Sequence, residues 1–206
     1  MTPSFSATPT VTPSLPEPSW GPVFFGGAAY GANYTSFVKS SGTADTWNTK
    51  VYSTVGFTGG TSVAAQCNTV NYANVMFGLS INPTSTAHVN AEYVNIDYAW
   101  YFTSNGLAQI YESGVYMSVT SNSYTTNSVF NITYDGANVR YYANGVLHRT
   151  VQRDNLRNTP LYFMSAFYGV DATVALTNVV FVSAPSVTPT PSVTPTVTPT
   201  VTPSVT

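Results

Sequence analysis

The chain has a single cysteine, Cys67, in 206 residues, so no disulfide can form within it. A lone cysteine reads as a buried, inert thiol, with an intermolecular bridge as the lesser reading. Charge is also scarce. Asp, Glu, Lys and Arg make up 7% of the residues, against about 25% in an ordinary globular protein. Net charge is −2 and there is no basic stripe, which argues against nucleic acid as a partner. No run approaches the roughly 18 apolar residues of a membrane span, so no membrane insertion is expected. Residues 2–10, TPSFSATPT, lack the basic and apolar regions of a signal peptide. No stretch of ten or more residues has a helical period, so at most a single turn of helix is expected. His88 and His148 have no partner at ligand spacing, which argues against zinc.

What is abundant is Thr, Pro and Tyr. Residues 1–19 and 185–206 are built from Thr, Pro, Ser and Val, and read as linkers biased toward polyproline II. From Val193 the sequence repeats every four residues, VTPT, VTPT, VTPS. Polyproline II has three residues per turn, so each Val steps about 120° round the axis and no apolar stripe forms. The dense hydroxyls suit O-glycosylation, with Thr188, Thr194, Thr198 and Thr202 as candidates. Both ends stop inside the same kind of repeat, so the expectation is a segment of a longer modular protein. Between the linkers, residues 20–184 suit one domain of about 165 residues. Few charges with many Asn, Ser, Thr and Tyr residues fit an extracellular, cell-surface or virion-surface protein.

Within that domain the period is two. Phe130, Ile132 and Tyr134 alternate with Asn131 and Thr133, Asp135-Gly136 breaks the run, Val139–Tyr142 restarts it, and Asn144-Gly145 breaks it again. Asn-Gly and Asp-Gly tolerate φ > 0, so three strands and two tight turns are predicted. Residues 47–57 read as a strand, ended by Gly59-Gly60, with 61–66 as its hairpin partner. Residues 74–81 place Val75, Phe77, Leu79 and Ile81 on one face. Residues 93–103 are the longest strand candidate, with Val94, Ile96, Tyr98, Trp100 and Phe102 facing the core and Tyr93, Asn95, Asp97, Ala99 and Tyr101 facing away. Residues 107–111, 115–119, 161–168 and 174–182 are further strands. Strands about ten residues apart with turn signals between them predict an all-β antiparallel sandwich.

The stretch from Trp47 to Val151 resembles the concanavalin A-like lectin/glucanase superfamily, in its laminin-G-like and SPRY-like branches. The resemblance rests on Phe77-Gly78-Leu79-Ser80, Ile96-Asp97-Tyr98-Ala99 and Ile110-Tyr111-Glu112-Ser113-Gly114. Above all it rests on Ile132-Thr133-Tyr134-Asp135-Gly136 followed by Val139-Arg140-Tyr141-Tyr142-Ala143-Asn144-Gly145. It implies a concanavalin A-like jelly roll, a fold that hosts glycan binding, peptide binding, glycoside hydrolysis and plain packing.

The hydrolase branch of that superfamily uses a carboxylate triplet of the E-x-D-x-E kind, and this sequence has none. Glu92 and Asp97 are five apart and would point to opposite faces of one strand. Asp97 and Glu112 could meet across neighbouring strands, but a retaining pair must stand about 5–5.5 Å apart. No G-x-S-x-G occurs. The expectation is not an enzyme. No cofactor is required. Calcium is the one left open, with Asp135 and Asp171 as the candidate ligands and Asp154 also in a loop. Asp135 has the competing role of fixing its own turn. Sugar binding would need an aromatic platform and amides, for which Tyr93, Asn95, Tyr101, Tyr141, Tyr142 and Asn144 are the candidates. Against this, tyrosines also fill cores, although 15 exceed what one core of this size needs. Asn33 and Asn131 begin N-glycosylation sequons.

The leading expectation is a non-catalytic binding or adhesion module with glycans or other surface polymers as partners. The alternative is a structural subunit of a capsid, fibre or appendage, whose partners are copies of itself and whose tails order on assembly.

Overall fold

A computed structural model describes residues 17–117 and 122–183. The Thr/Pro tails, Thr188, Thr194, Thr198 and Thr202 lie outside the described residues, apart from positions 17–19. In chain order the strands are β1 (Pro22–Phe25), β2 (Ala28–Tyr30), β3 (Phe37–Lys39), β4 (Thr49–Phe57), β5 (Thr61–Cys67), β6 (Val75–Ser80), β7 (Tyr98–Phe102) and β8 (Leu107–Glu112). They continue as β9 (Val115–Tyr116), β10 (Asn122–Ser123), β11 (Phe130–Tyr134), β12 (Asn138–Ala143), β13 (Val146–Gln152), β14 (Leu161–Phe167) and β15 (Ala175–Ser183). Two single 3-10 turns, Glu92–Asn95 and Asp154–Leu156, are the only helical elements among the described residues.

The strands form two antiparallel sheets. The first runs β1-β4-β14-β6-β7-β8-β10, with β9 pairing β8, and the second runs β13-β12-β11-β5-β15-β3-β2. Alternation sends one face of each sheet inward. Phe77, Trp100, Phe102 and Phe163 from the first sheet meet Phe37, Phe130, Tyr141 and Phe181 from the second, all nearly or fully buried. Burying a side chain of this size contributes about 1.5–3 kcal/mol. The indole of Trp100 meets Phe130 edge-on at 4.9 Å, a preferred aromatic geometry.

The three-strand meander forms as predicted. Ala143 pairs with Val146 across the two-residue Asn144-Gly145 turn, where φ is 50° and 79°. Tyr134 pairs with Val139 across a longer loop. There Asp135 Oδ1 accepts the amides of Ala137 and Asn138 at 2.9 and 2.7 Å.

Three expectations are corrected. First, β4 and β5 are not a hairpin. β4 pairs with β1 and β14, while β5 pairs with β11 and β15 in the other sheet. Alternation reveals which face of a strand is buried, not which strand lies beside it. Three of their four partners, β11, β14 and β15, come from far along the chain. Second, the strand expected over 93–103 begins only at Tyr98, and Glu92–Asn95 is a 3-10 turn. Ile96 is buried, but in a second cluster with Met76, Ala99, Met164 and Ala166 on the outer face of the first sheet. Third, the strand expected over 115–119 is Val115–Tyr116 in the described residues.

Candidate functional site

Strands β11, β12, β5 and β15 present an ordered outer face. Their inward residues, such as Ile132, Tyr141 and Val63, are committed to the core, so Asn131, Thr133, Arg140 and Tyr142 must point outward. The register aligns them in rows. Tyr142 stands opposite Leu147 on one side and Asn131 on the other, Asn131 opposite Ala64, and Ala64 opposite Val180. The adjacent row is Thr150, Arg140, Thr133, Ser62 and Val182.

A groove of about 450 Å³ opens on this face, lined by Val129, Asn131, Thr133, Tyr142 and Gly145. None of these side chains is charged. The nearest charge in the rows, Arg140, is tied to Asp135 by an ion pair. Inside the groove Asn131 Nδ2 donates to Ser62 Oγ at 3.2 Å, and the Asn131 carbonyl receives the Trp100 indole N–H from the core at 3.3 Å. The rim is clamped. Asn144 Oδ1 accepts the Val129 amide at 2.9 Å, and the Asn144 amide donates to the Val129 carbonyl at 2.8 Å. Gly145 has no heavy atom within 4 Å of where a Cβ would stand, so the rim is open there. One aromatic ring, one amide and one hydroxyl on an uncharged floor can stack on the apolar face of a polyol ring and hydrogen-bond its hydroxyls.

The six candidates therefore fall in three places. Tyr142 and Asn144 belong to this groove, Tyr142 as lining and Asn144 as clamp. Tyr141, next in sequence, points into the core, where it is fully buried and its hydroxyl donates to Glu112 Oε1 at 3.4 Å. Burial pushes its pKa well above the ordinary tyrosine value, with the Glu112 charge acting the same way. It is not available to a ligand. Tyr93, Asn95 and Tyr101 belong to the outer side of the other sheet. Asn95 is buried and donates to Glu92 Oε2 at 2.9 Å. Tyr93 and Tyr101 join a chain of rings through Trp47, at 5.2 and 5.6 Å. The chain continues to Tyr111 and Tyr116, and Trp47 also meets Tyr168. The Tyr101 hydroxyl donates to Asn74 Oδ1 at 2.8 Å, and burial raises its pKa to about 12. These rings spend much of their surface on one another.

Asp97 and Glu112 are held by different partners. Asp97 Oδ2 accepts the Ile81 amide at 2.7 Å, whereas Glu112 is held by Arg149 at 2.8 Å and Arg153 at 3.6 Å. Asp135 is engaged as described, and Asp171 Oδ1 accepts the amide and hydroxyl of Thr173 at 2.8 and 2.6 Å. Both carboxylates fix local turns, and among the described residues no three His, Cys, Asp or Glu side chains gather as a metal site. Asn33 lies exposed between β2 and β3, its Oδ1 accepting from the Thr35 amide and hydroxyl, both at 2.9 Å. Thr133, Val129 and Ala64 escaped the sequence reading. The missing signal was register, since Asn131 and Ala64 become neighbours of Tyr142 only once the pairing is known.

No protein-family model matches the sequence, and no curated protein matches it. Solved structures do. The carbohydrate-binding module CBM66 from Bacillus subtilis superposes with a TM-score of 0.50 at 11% identity, over 83% of this chain and 100% of its own. The exoplasmic/lumenal domain of VIP36 gives 0.51 at 7%, over 79% and 84%. The PSpry domain of TRIM65 gives 0.50 at 13%, over 76% and 88%. The chain has the concanavalin A-like fold. In this sandwich, shared with lectin-like, carbohydrate-binding and SPRY domains, the groove lies across the outer face of one sheet.

Proposed function

We propose that the chain is a non-catalytic carbohydrate-binding module that takes glycans on the outer face of its second sheet. The observation that carries the proposal is the uncharged groove where Tyr142, Asn131 and Thr133 converge. Two similar structures, named a carbohydrate-binding module and a lumenal domain also solved with mannose and calcium, support the choice of ligand class. The module sits between linkers at 1–19 and 185–206 in a longer extracellular, cell-surface or virion-surface protein with an adhesive role. The reading as a capsid, fibre or appendage subunit rests on the tails, and no observation on the described residues favours it.

A glycan array probed with the wild-type chain tests this. At least one neutral glycan is bound, and Tyr142→Ala weakens it about tenfold, the loss of roughly 1.4 kcal/mol of stacking. Tyr116→Ala, on the other sheet, leaves binding unchanged. No bound glycan, or binding indifferent to Tyr142→Ala, overturns the proposal.

A further inference from the structure

We propose that Lys50 and Asn95 become joined by an intramolecular isopeptide bond, with Glu92 carrying protons between them. Lys50 leaves β4 on the outer face of the first sheet and is only 4% exposed. Its Nζ lies 2.9 Å from Glu92 Oε2 and donates to the Ser85 carbonyl at 3.0 Å. The rings of Phe25 and Tyr52 stand 5.6 and 5.8 Å from the same nitrogen. Asn95 Nδ2 donates to that same Glu92 oxygen, also at 2.9 Å. The lysine and amide nitrogens thus lie within twice 2.9 Å of each other, with one carboxylate oxygen between them. Glu92 is 1% exposed and Asn95 9%. This is the least exposed ion pair among the described residues.

A buried ion pair is weakly stabilising in itself, because both charges give up water. Passing a proton from Lys50 to Glu92 leaves a neutral amine and a carboxylic acid in place of the two charges. The neutral Nζ attacks Cγ of Asn95 and forms the Nζ–Cγ bond. The Glu92 carboxyl gives its proton to Nδ2, the Cγ–Nδ2 bond breaks, and ammonia leaves. Of the three protons on the starting ammonium, one stays on the new amide and one departs with the ammonia. The third is taken up by Glu92 and passes on to the released ammonia. Nothing is oxidised or reduced, and no cofactor is consumed. Fixed proximity in a rigid site replaces the enzyme that such a reaction would otherwise need.

Lys39 is the built-in comparison. It is equally buried, and its Nζ donates to Asn48 Oδ1 at 2.8 Å, but its other two partners are the carbonyls of Thr46 and Tyr168. No carboxylate stands among these partners to take its proton. The Lys50–Asn95 link would clamp the Glu92–Asn95 turn onto β4 in a chain that has no second cysteine for a disulfide.

Intact-mass spectrometry of the unglycosylated full chain under denaturing conditions tests the proposal without depending on any variant folding. The wild type is expected to be lighter than its sequence by one ammonia. Trypsin should fail to cut after Lys50, so that residues 40–140, which hold both Lys50 and Asn95 and no other tryptic site before Arg140, run as one peptide lighter by one ammonia. Glu92→Gln should restore the full mass. A wild-type mass equal to the sequence overturns the proposal. So does a lost ammonia that maps to Lys39 and Asn48, or one that persists in Glu92→Gln.

Discussion

The indole nitrogen of Trp100, in one sheet, donates to the backbone carbonyl of Asn131, in the other, across 3.3 Å. The same Asn131 turns its side chain outward into the groove. The floor of the candidate site is therefore fastened from inside the core. Trp100 is fully buried and touches Phe130, Tyr141 and His148, so little can move there without moving the face above.

Trp100→Phe keeps an aromatic ring but removes the donor and leaves a void. It is expected to cost about 2 kcal/mol, read as a lower midpoint in urea with an unchanged slope. A midpoint equal to the wild type would show that the cross-sheet hydrogen bond holds nothing.

Lys39 stabilises through three hydrogen bonds from one ammonium to Thr46, Asn48 and Tyr168. These tie the loop after β3 to the end of β14. Lys39→Met leaves all three acceptors without their donor and should cost about 3 kcal/mol. In a domain of this size that lowers Tm by about 10 °C, measured by thermal circular dichroism. An unchanged Tm contradicts the assignment.

Asp97 should make the protein less stable as pH rises. Burial raises its carboxyl above the ordinary aspartate value, against the hydrogen bond from the Ile81 amide. The unfolded chain therefore gives up this proton at lower pH than the folded one. The contribution is whole below the unfolded value and is lost as pH climbs through the raised folded value. Asp97→Asn, which keeps an acceptor for Ile81, should gain less than about 1 kcal/mol at neutral pH and nothing at pH below the aspartate range. Urea titrations at both ends of that window decide it. A variant that is weaker at neutral pH sinks the argument.

Cys67 is fully buried, and burial raises its thiol pKa above the ordinary cysteine value. A thiol reagent should label it only in denaturant. Rapid labelling of the native protein would show that this part of β5 opens.

The sandwich was legible because alternation is local. Phe130, Ile132 and Tyr134 reveal their buried face without knowledge of any partner, and Asn144-Gly145 reveals its turn. Pairing was less so. The link from β4 to β5 crosses between sheets, and the residues that decide this lie on β14, β15 and β11, far along the chain. Glu92 shows the other limit. A glutamate before an alternating run reads as a solvated residue, yet here it is buried because Lys50 and Asn95 meet it. The candidate site was half legible. Tyr142 could be placed by alternation from the Asn-Gly turn, but Tyr141 beside it carries the same chemistry and only its parity sends it inward. Asn95 and Tyr101 satisfied the residue types for sugar binding, but their hydrogen bonds are spent on Glu92 and Asn74.

The account stands or falls on where a glycan lands. Two-dimensional NMR of the isotope-labelled chain, titrated with the best ligand from the array, locates it directly. The account predicts that the amide signals of Asn131, Thr133, Tyr142 and Gly145 shift in a saturable way while those of Tyr93, Tyr101 and Tyr111 stay put. Shifts confined to Trp47 and the rings around it, with the Tyr142 face silent, would contradict it.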